Sequence, residues 1–201
     1  MSPAPRMHAG RSIRARRSIL GLLLLALVGA AWSATARANP VRYPLQPEAS
    51  EVTFKATSRF MDADGRFHRL GGEIVVDPKD LSTAKVTLSI EVASIDTGIG
   101  LRDNHLRSED FFDVKRFPTI TFESIRVEAT GRRANVHGRL TLHGVTREVA
   151  VPVDVALTDL AIVASGEFVV NRGDYGLTYQ SFLNPIGNLV RVAFTFRAHA
   201  P

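Results

Sequence analysis

The chain has 201 residues, no cysteine and a formal net charge of +5. Without cysteine there are no disulfides, no thiol catalysis and no thiolate-held metals. Six of the 25 basic residues (Arg6, Arg11, Arg14, Arg16, Arg17 and Arg37) and none of the 20 acidic ones lie in the first 38 positions, leaving 19 basic against 20 acidic residues in the other 163. So nearly neutral a body lacks the basic stripe that nucleic acid requires, and no nucleic-acid partner is expected.

The first 38 residues read as a targeting segment. Residues 11–17 are cationic, Ile19 to Ala31 is an almost unbroken apolar run, and Ala36-Arg37-Ala38 places small residues where a signal peptidase cuts. This order predicts a secretory signal removed before Asn39, and a periplasmic location. The apolar run is too short for the roughly 20 residues a transmembrane helix needs. Arg16-Arg17 fits twin-arginine export and an ordinary basic leader equally well. Residues 39–201 are one domain's length, with no linker, repeat or low-complexity tract.

From residue 50 onward the hydrophobic period is two, the signature of half-buried strands. Strands are predicted around 50–58, 66–77, 85–92, 118–127, 133–142, 149–157, 161–172 and 190–196. Lys85 to Val92 alternates strictly, and Ala134, Val136, Gly138, Leu140 and Leu142 share one face of another strand. Pro78-Lys79-Asp80, Thr130-Gly131, His143-Gly144 and Thr158-Asp159 supply turns. Gly98 to Asp113 breaks the rhythm and predicts a short helix plus loop; Gly173 to Gly187 is a second irregular stretch. Strands joined by short turns pair antiparallel, and about eight would close a barrel just wide enough for side chains or one slender ligand. Alternation alone fits a two-sheet sandwich equally well.

Four motifs narrow the choice. Ser94-Ile95-Asp96-Thr97-Gly98 precedes Arg102-Asp103-Asn104-His105-Leu106-Arg107-Ser108. Asp110 to Val114 follows, then Phe117 to Ser124 and Gly138 to Thr146. In this order and spacing, with Tyr43 to Phe54 and Asn171 to Leu177, the chain resembles the YceI-like family of bacterial periplasmic polyisoprenoid-binding proteins over residues 43–198. The resemblance implies an all-β fold: one extended antiparallel, lipocalin-like barrel of about eight strands with a short helix and loop around 99–113. It also implies a periplasmic carrier for a polyprenyl phosphate or isoprenoid quinone held in an apolar interior. A filled barrel acting through its surface, as a stress- or redox-associated accessory, is the alternative.

All eleven phenylalanines follow residue 39, and inward aromatics would fill a core or line a pocket alike. Phe54, Leu88, Ile90, Val92, Phe122, Leu142, Phe168, Val192 and Phe194 are the candidate apolar lining. Arg102, Asp103, His105, Arg172 and Asp174 are candidates for a polar head group, since charge-assisted bonds would hold a phosphate or a quinone carbonyl. Capping of the helix and its attachment to the barrel by Arg102 and Asp103, and a mutual or cross-loop ion pair for Arg172 and Asp174, are the structural readings of the same residues. His137 and His143 would lie about 20 Å apart on a regular strand, too far to share one metal ion. With no nucleophile elbow, zinc-protease helix or phosphate-cradling loop, neither an enzyme nor a metal site is expected. The lipid is expected as ligand, with no further cofactor, and inner-membrane lipid or a redox protein as transient contacts.

Overall fold

The computed structural model describes residues 39–201; the expected leader and its cleavage point lie outside them. The strands are β1 (Val41–Pro44), β2 (Glu51–Ser58), β3 (Ala63–Phe67), β4 (Leu70–Asp77), β5 (Asp80–Glu91), β6 (Ile95–Asp96), β7 (Thr119–Thr130), β8 (Arg133–Leu142), β9 (Val145–Leu157), β10 (Ala161–Asn171) and β11 (Ile186–His199). Helix α1 (Gly100–Arg107) sits in the first irregular segment, and a 3₁₀ turn, Arg172–Tyr175, opens the second.

All pairings are antiparallel, in the order β1-β4-β5-β7-β8-β9-β10-β11-β2-β3-β6. The eleven segments are eight long strands, three of them bent. β1 and β2 form one run interrupted at the 3₁₀ turn Pro47–Ala49, and β5 continues into β6 through the turn Val92–Ser94. The expected strand at 66–77 likewise divides at His68–Arg69 into β3 and β4. These last two bends are stitched together: Glu91 N–H donates to Arg69 O (2.9 Å), His68 N–H to Ser94 O (3.2 Å), and Arg69 N–H to Ser94 Oγ (3.0 Å). A sheet can turn sharply only if neighbouring strands bend together, because otherwise buried backbone groups lose their partners.

The same bends close the sheet. Leu45 bridges Ala198 and Gln46 N–H donates to Arg197 O (2.8 Å), so the run holding β1 and β2 pairs with β11 on one side and with β3 and β4 on the other. The predicted antiparallel barrel is thus present. Two seams are splayed. β5 pairs with β7 only over Thr87–Glu91 and Thr119–Glu123, and β9 with β10 only over Asp154–Leu157 and Ile162–Ser165.

The two ends are built differently. Three tight turns close one end, termed lower here: Pro78-Lys79, Gly131-Arg132 and Thr158 to Leu160. The long segments lie at the upper end: residues 59–62, the stretch holding α1, and residues 172–185. Only one upper connection is tight. His143 (φ 51°) and Gly144 (φ 75°) both adopt the left-handed conformation, as a two-residue hairpin turn demands.

Candidate functional site

The barrel interior holds a cavity of about 490 Å³, within the range of small-molecule sites. It runs from Leu81, Ala84, Val127 and Val155 near the lower turns to Ser58, Met61, Tyr179, Ser181 and Asn184 at the upper end. The wall follows from strand periodicity: on β8, Ala134, Val136, Leu140 and Leu142 point inward, as do Val190, Val192, Phe194 and Phe196 on β11.

Glycine explains why a barrel rich in phenylalanine keeps an empty centre. Gly65, Gly138 and Gly166 fall at inward positions. A Cβ on them would lie 2.5 Å from the Phe54 ring, 2.4 Å from the Phe122 ring and 2.8 Å from the Phe194 ring. Phe54 lies directly across from Gly65, and Phe194 directly across from Gly166. Each ring rests on a neighbouring strand where a side chain is missing, so aromatic surface is gained without filling the lumen.

A buried tyrosine crosses the lower end. Tyr43 is fully buried, and its hydroxyl reaches the carbonyl oxygens of Thr158 (3.4 Å) and Asp159 (3.3 Å) across the base. Burial, and then the Asp159 carboxylate, raise its pKa above the ordinary phenol value. Val76 and Ala198 are almost fully buried in the same cluster.

The upper end is polar. Arg102 and His105 project from α1 to the cavity, and Arg172 lies deeper against the wall. Arg102 donates from Nε to Thr97 Oγ1 (2.8 Å), from Nη2 to Thr97 O (3.0 Å) and from Nη1 to Asp62 O (3.3 Å), tying α1 to the 59–62 loop. The His105 ring packs edge-on against Phe111 (5.0 Å) and Tyr179 (4.9 Å), and its Nε2 meets Asp110 Oδ2 at 3.2 Å. Arg172 is only 5 % exposed. Its guanidinium donates to the carbonyls of Leu177, Ile186 (3.2 Å) and Gly187 (3.1 Å). Burial lowers its pKa, yet a guanidinium stays charged at any physiological pH. Three carbonyls engage three of its five N–H groups, and among the described residues no carboxylate forms a salt bridge with it.

Of the sequence-predicted lining, Phe54, Leu88, Ile90, Phe122, Leu142, Phe168, Val192 and Phe194 border the cavity. Val92 does not: it sits in the turn between β5 and β6, 2 % exposed, with its N–H on Pro118 O (2.9 Å). Among the polar candidates, Arg102, His105 and Arg172 border the cavity, whereas Asp103 and Asp174 lie away from it. Asp103 is buried and accepts from Thr97 N–H (2.8 Å) and the Thr97 hydroxyl, fastening the start of α1. Among the described residues Arg172 and Asp174 form neither the mutual nor the cross-loop ion pair expected, because Arg172 turns inward to carbonyls while Asp174 Oδ1 faces Asn171 Nδ2 (3.3 Å).

Met61, Tyr179, Ser181 and Asn184 at the upper rim escaped the sequence reading, since irregular segments carry no period to say which side chain faces inward. Val136, Leu140, Val151, Val153 and Phe196 also line the cavity and were accessible from alternation. Among the described residues no cluster of three histidine or acidic side chains is suited to a metal ion.

Comparison with known proteins agrees with this architecture. A UPF0312 protein of Pseudomonas aeruginosa is 46% identical over 87 residues, 43% of this chain and 46% of the relative; the chain thus spans about half the length of that relative. The solved structure of BcnA from Burkholderia cenocepacia superposes with a TM-score of 0.71 at 25% identity, covering 77% of this chain and 99% of that one. A structure described as a polyisoprenoid binding domain from Saccharophagus degradans gives 0.65 at 22% identity, covering 80% and 99%. The YceI-like domain profile matches residues 43–198, and the chain belongs to that family.

Proposed function

We propose that this protein binds one long-chain isoprenoid lipid, tail down in the barrel and head group at the upper end, and carries or sequesters it rather than transforming it. The observation that carries this reading is the cavity: walls of aliphatic and aromatic side chains along the barrel, with its polar groups gathered at one end. A tail burying on the order of 400 Å² would gain about 10 kcal/mol gross, before the costs of immobilising it. Polar groups confined to one end favour an amphiphile over a wholly apolar guest. Arg102, His105 and Tyr179 would meet the head, with Arg172 below them, and either a polyprenyl phosphate or a quinone offers acceptors for these donors.

The Saccharophagus relative described as polyisoprenoid-binding supports the ligand class. The export signal read at residues 1–38 supports the periplasm, where a water-filled gap separates two lipid phases and a soluble holder of greasy molecules has a use. A packed interior working only through its surface is disfavoured by the open lumen.

The test is native mass spectrometry with organic extraction of protein purified from its own periplasm. One isoprenoid per chain is expected, and Phe122→Asp, which puts a charge on the wall, should lose it while staying folded. Protein that arrives without lipid and takes up neither added quinone nor polyprenyl phosphate would sink the proposal.

A further inference from the structure

Exposed apolar side chains are unevenly distributed over this protein. Among the described residues ten large hydrophobic side chains stand open to solvent, and six of them (Phe60, Met61, Ile99, Leu101, Phe182 and Leu183) lie on three upper-end loops. Phe182 is 97 % exposed and Leu101 is 85 % exposed. Only Leu160 marks the lower turns, while Ile125, Val169 and Leu189 are spread along the outer wall.

The three loops are fastened to one another. Arg59 N–H donates to Pro185 O (3.2 Å) and Phe60 N–H to Asn184 Oδ1 (2.9 Å), joining residues 59–62 to residues 182–185. Arg102 Nη1 on Asp62 O joins the same loop to α1 beside Leu101. The apolar tips therefore form one crown around the cavity mouth, where Met61, Ser181 and Asn184 are already part of the lining.

Charge accompanies the crown. The Arg59 guanidinium lies 5.2 Å over the Phe60 ring, a cation level with an apolar tip. Among the described residues neither Arg59 nor Arg102 has a carboxylate in salt-bridge contact, whereas Asp62 and Asp64 are occupied by Lys55. Apolar tips flanked by unpaired cations fit an interface of acyl chains beneath anionic head groups. A protein partner would instead supply carboxylates and a complementary apolar pocket.

We infer that the crown docks on the surface of an anionic phospholipid bilayer, pressing the cavity mouth against it so that a lipid tail passes between membrane and barrel without crossing water. The inference rests on the barrel being a lipid holder and adds the surface through which it is loaded. The lower end, lacking this crown, stays in water.

The test uses the barrel from Asn39 onward. These residues form one compact unit with its own closed sheet and core, and 99% of the BcnA chain is covered by 77% of this one. The single tryptophan of the sequence, Trp32, is absent from it, so Phe182→Trp makes a unique probe. With vesicles of phosphatidylethanolamine and phosphatidylglycerol, the probe should shift to the blue and be quenched by brominated acyl chains. Replacing Phe60, Leu101, Phe182 and Leu183 together by serine should weaken vesicle flotation by roughly tenfold or more, whereas Leu160→Ser should leave it unchanged. Lipid retention by the fourfold variant, read by native mass spectrometry, should persist, because none of the four side chains lines the cavity. No flotation of the parent barrel, a probe left in water, or equal losses in the crown and Leu160 variants would each overturn the inference. So would binding to protein-containing inner membranes but not to pure lipid, which would assign the crown to a protein. Failure to hold any lipid while still docking would count against the proposed function and leave the docking surface standing.

Discussion

The two ends of this barrel are made from the same eight strands and are chemically opposite. At the lower end tight turns and a buried tyrosine lie among aliphatic side chains. At the upper end long loops hold a cavity mouth open between arginine, histidine and tyrosine. A strand hairpin needs only two residues to reverse, so short connections leave nothing over for function. The extra chain length spent above supplies Arg102, His105, Arg172, Tyr179, Ser181 and Asn184 at the cavity mouth and the apolar tips around it. Asymmetry of the connections, more than of the strands, gives the cavity a direction.

The comparison is broken most severely at Arg172. Arg172→Leu would remove the guanidinium from the carbonyls of Leu177, Ile186 and Gly187, leaving Ile186 O to Gln180 Nε2 (3.3 Å) alone. A loss of roughly 3 kcal/mol or more in urea denaturation is expected, with hydrogen exchange quickening around residues 172–187 and little change at the lower turns. Uniform loosening of both ends would show that the ends are not independently built.

Gly138→Ala tests the lumen between them. The new Cβ would meet the Phe122 ring and, at 2.7 Å, the Glu123 carbonyl, so ring and strand must shift. The expected cost is about 1–3 kcal/mol, with weaker uptake of any isoprenoid in a binding titration. Unchanged uptake would show that Phe122 does not set the bore.

Ala134→Phe sharpens the directional reading. Ala134 lines the cavity near its lower end, far from the polar groups. The variant should reject the longest chains of an isoprenoid series and retain the shorter ones, because only the tail would meet the new ring. Equal loss of all lengths would mean that the ligand does not lie head-up.

The smallest effect is expected at Tyr43. Tyr43→Phe removes the hydroxyl contacts to Thr158 and Asp159 and should cost about 1 kcal/mol near neutral pH. Because burial raises the folded pKa, the stabilisation is full below the unfolded phenol value of about 10 and is lost as pH rises through the higher folded value. Thermal melts above pH 10 should therefore decline less steeply in Tyr43→Phe than in the parent. Tyr175, raised by burial and then by Asp174, retains its share of that decline.

The sequence by itself determined the strand class, the antiparallel pairing and the inward set on the regular strands. Alternation is a local property: a residue such as Leu88 or Val192 faces the same way as its neighbours two positions off, whatever the rest of the chain does. Proline, glycine and Asx turns likewise marked where the chain reverses, and loss of rhythm at Gly98 to Asp113 located α1. Only the tertiary structure decided the rest. Two of the three bends that turn eleven segments into eight closed strands depend on hydrogen bonds linking Arg69 with Glu91 and Ser94, more than 20 residues further along the chain. The empty lumen depends on Gly65, Gly138 and Gly166 meeting rings from neighbouring strands, a register that composition cannot show. The orientation of Arg172 toward the carbonyls of Leu177, Ile186 and Gly187 rather than toward Asp174 was settled by how the 172–187 segment folds back on itself, and the gathering of three loops at one mouth by contacts between them. Long-range pairing decides such features because no period within a single segment encodes its partner.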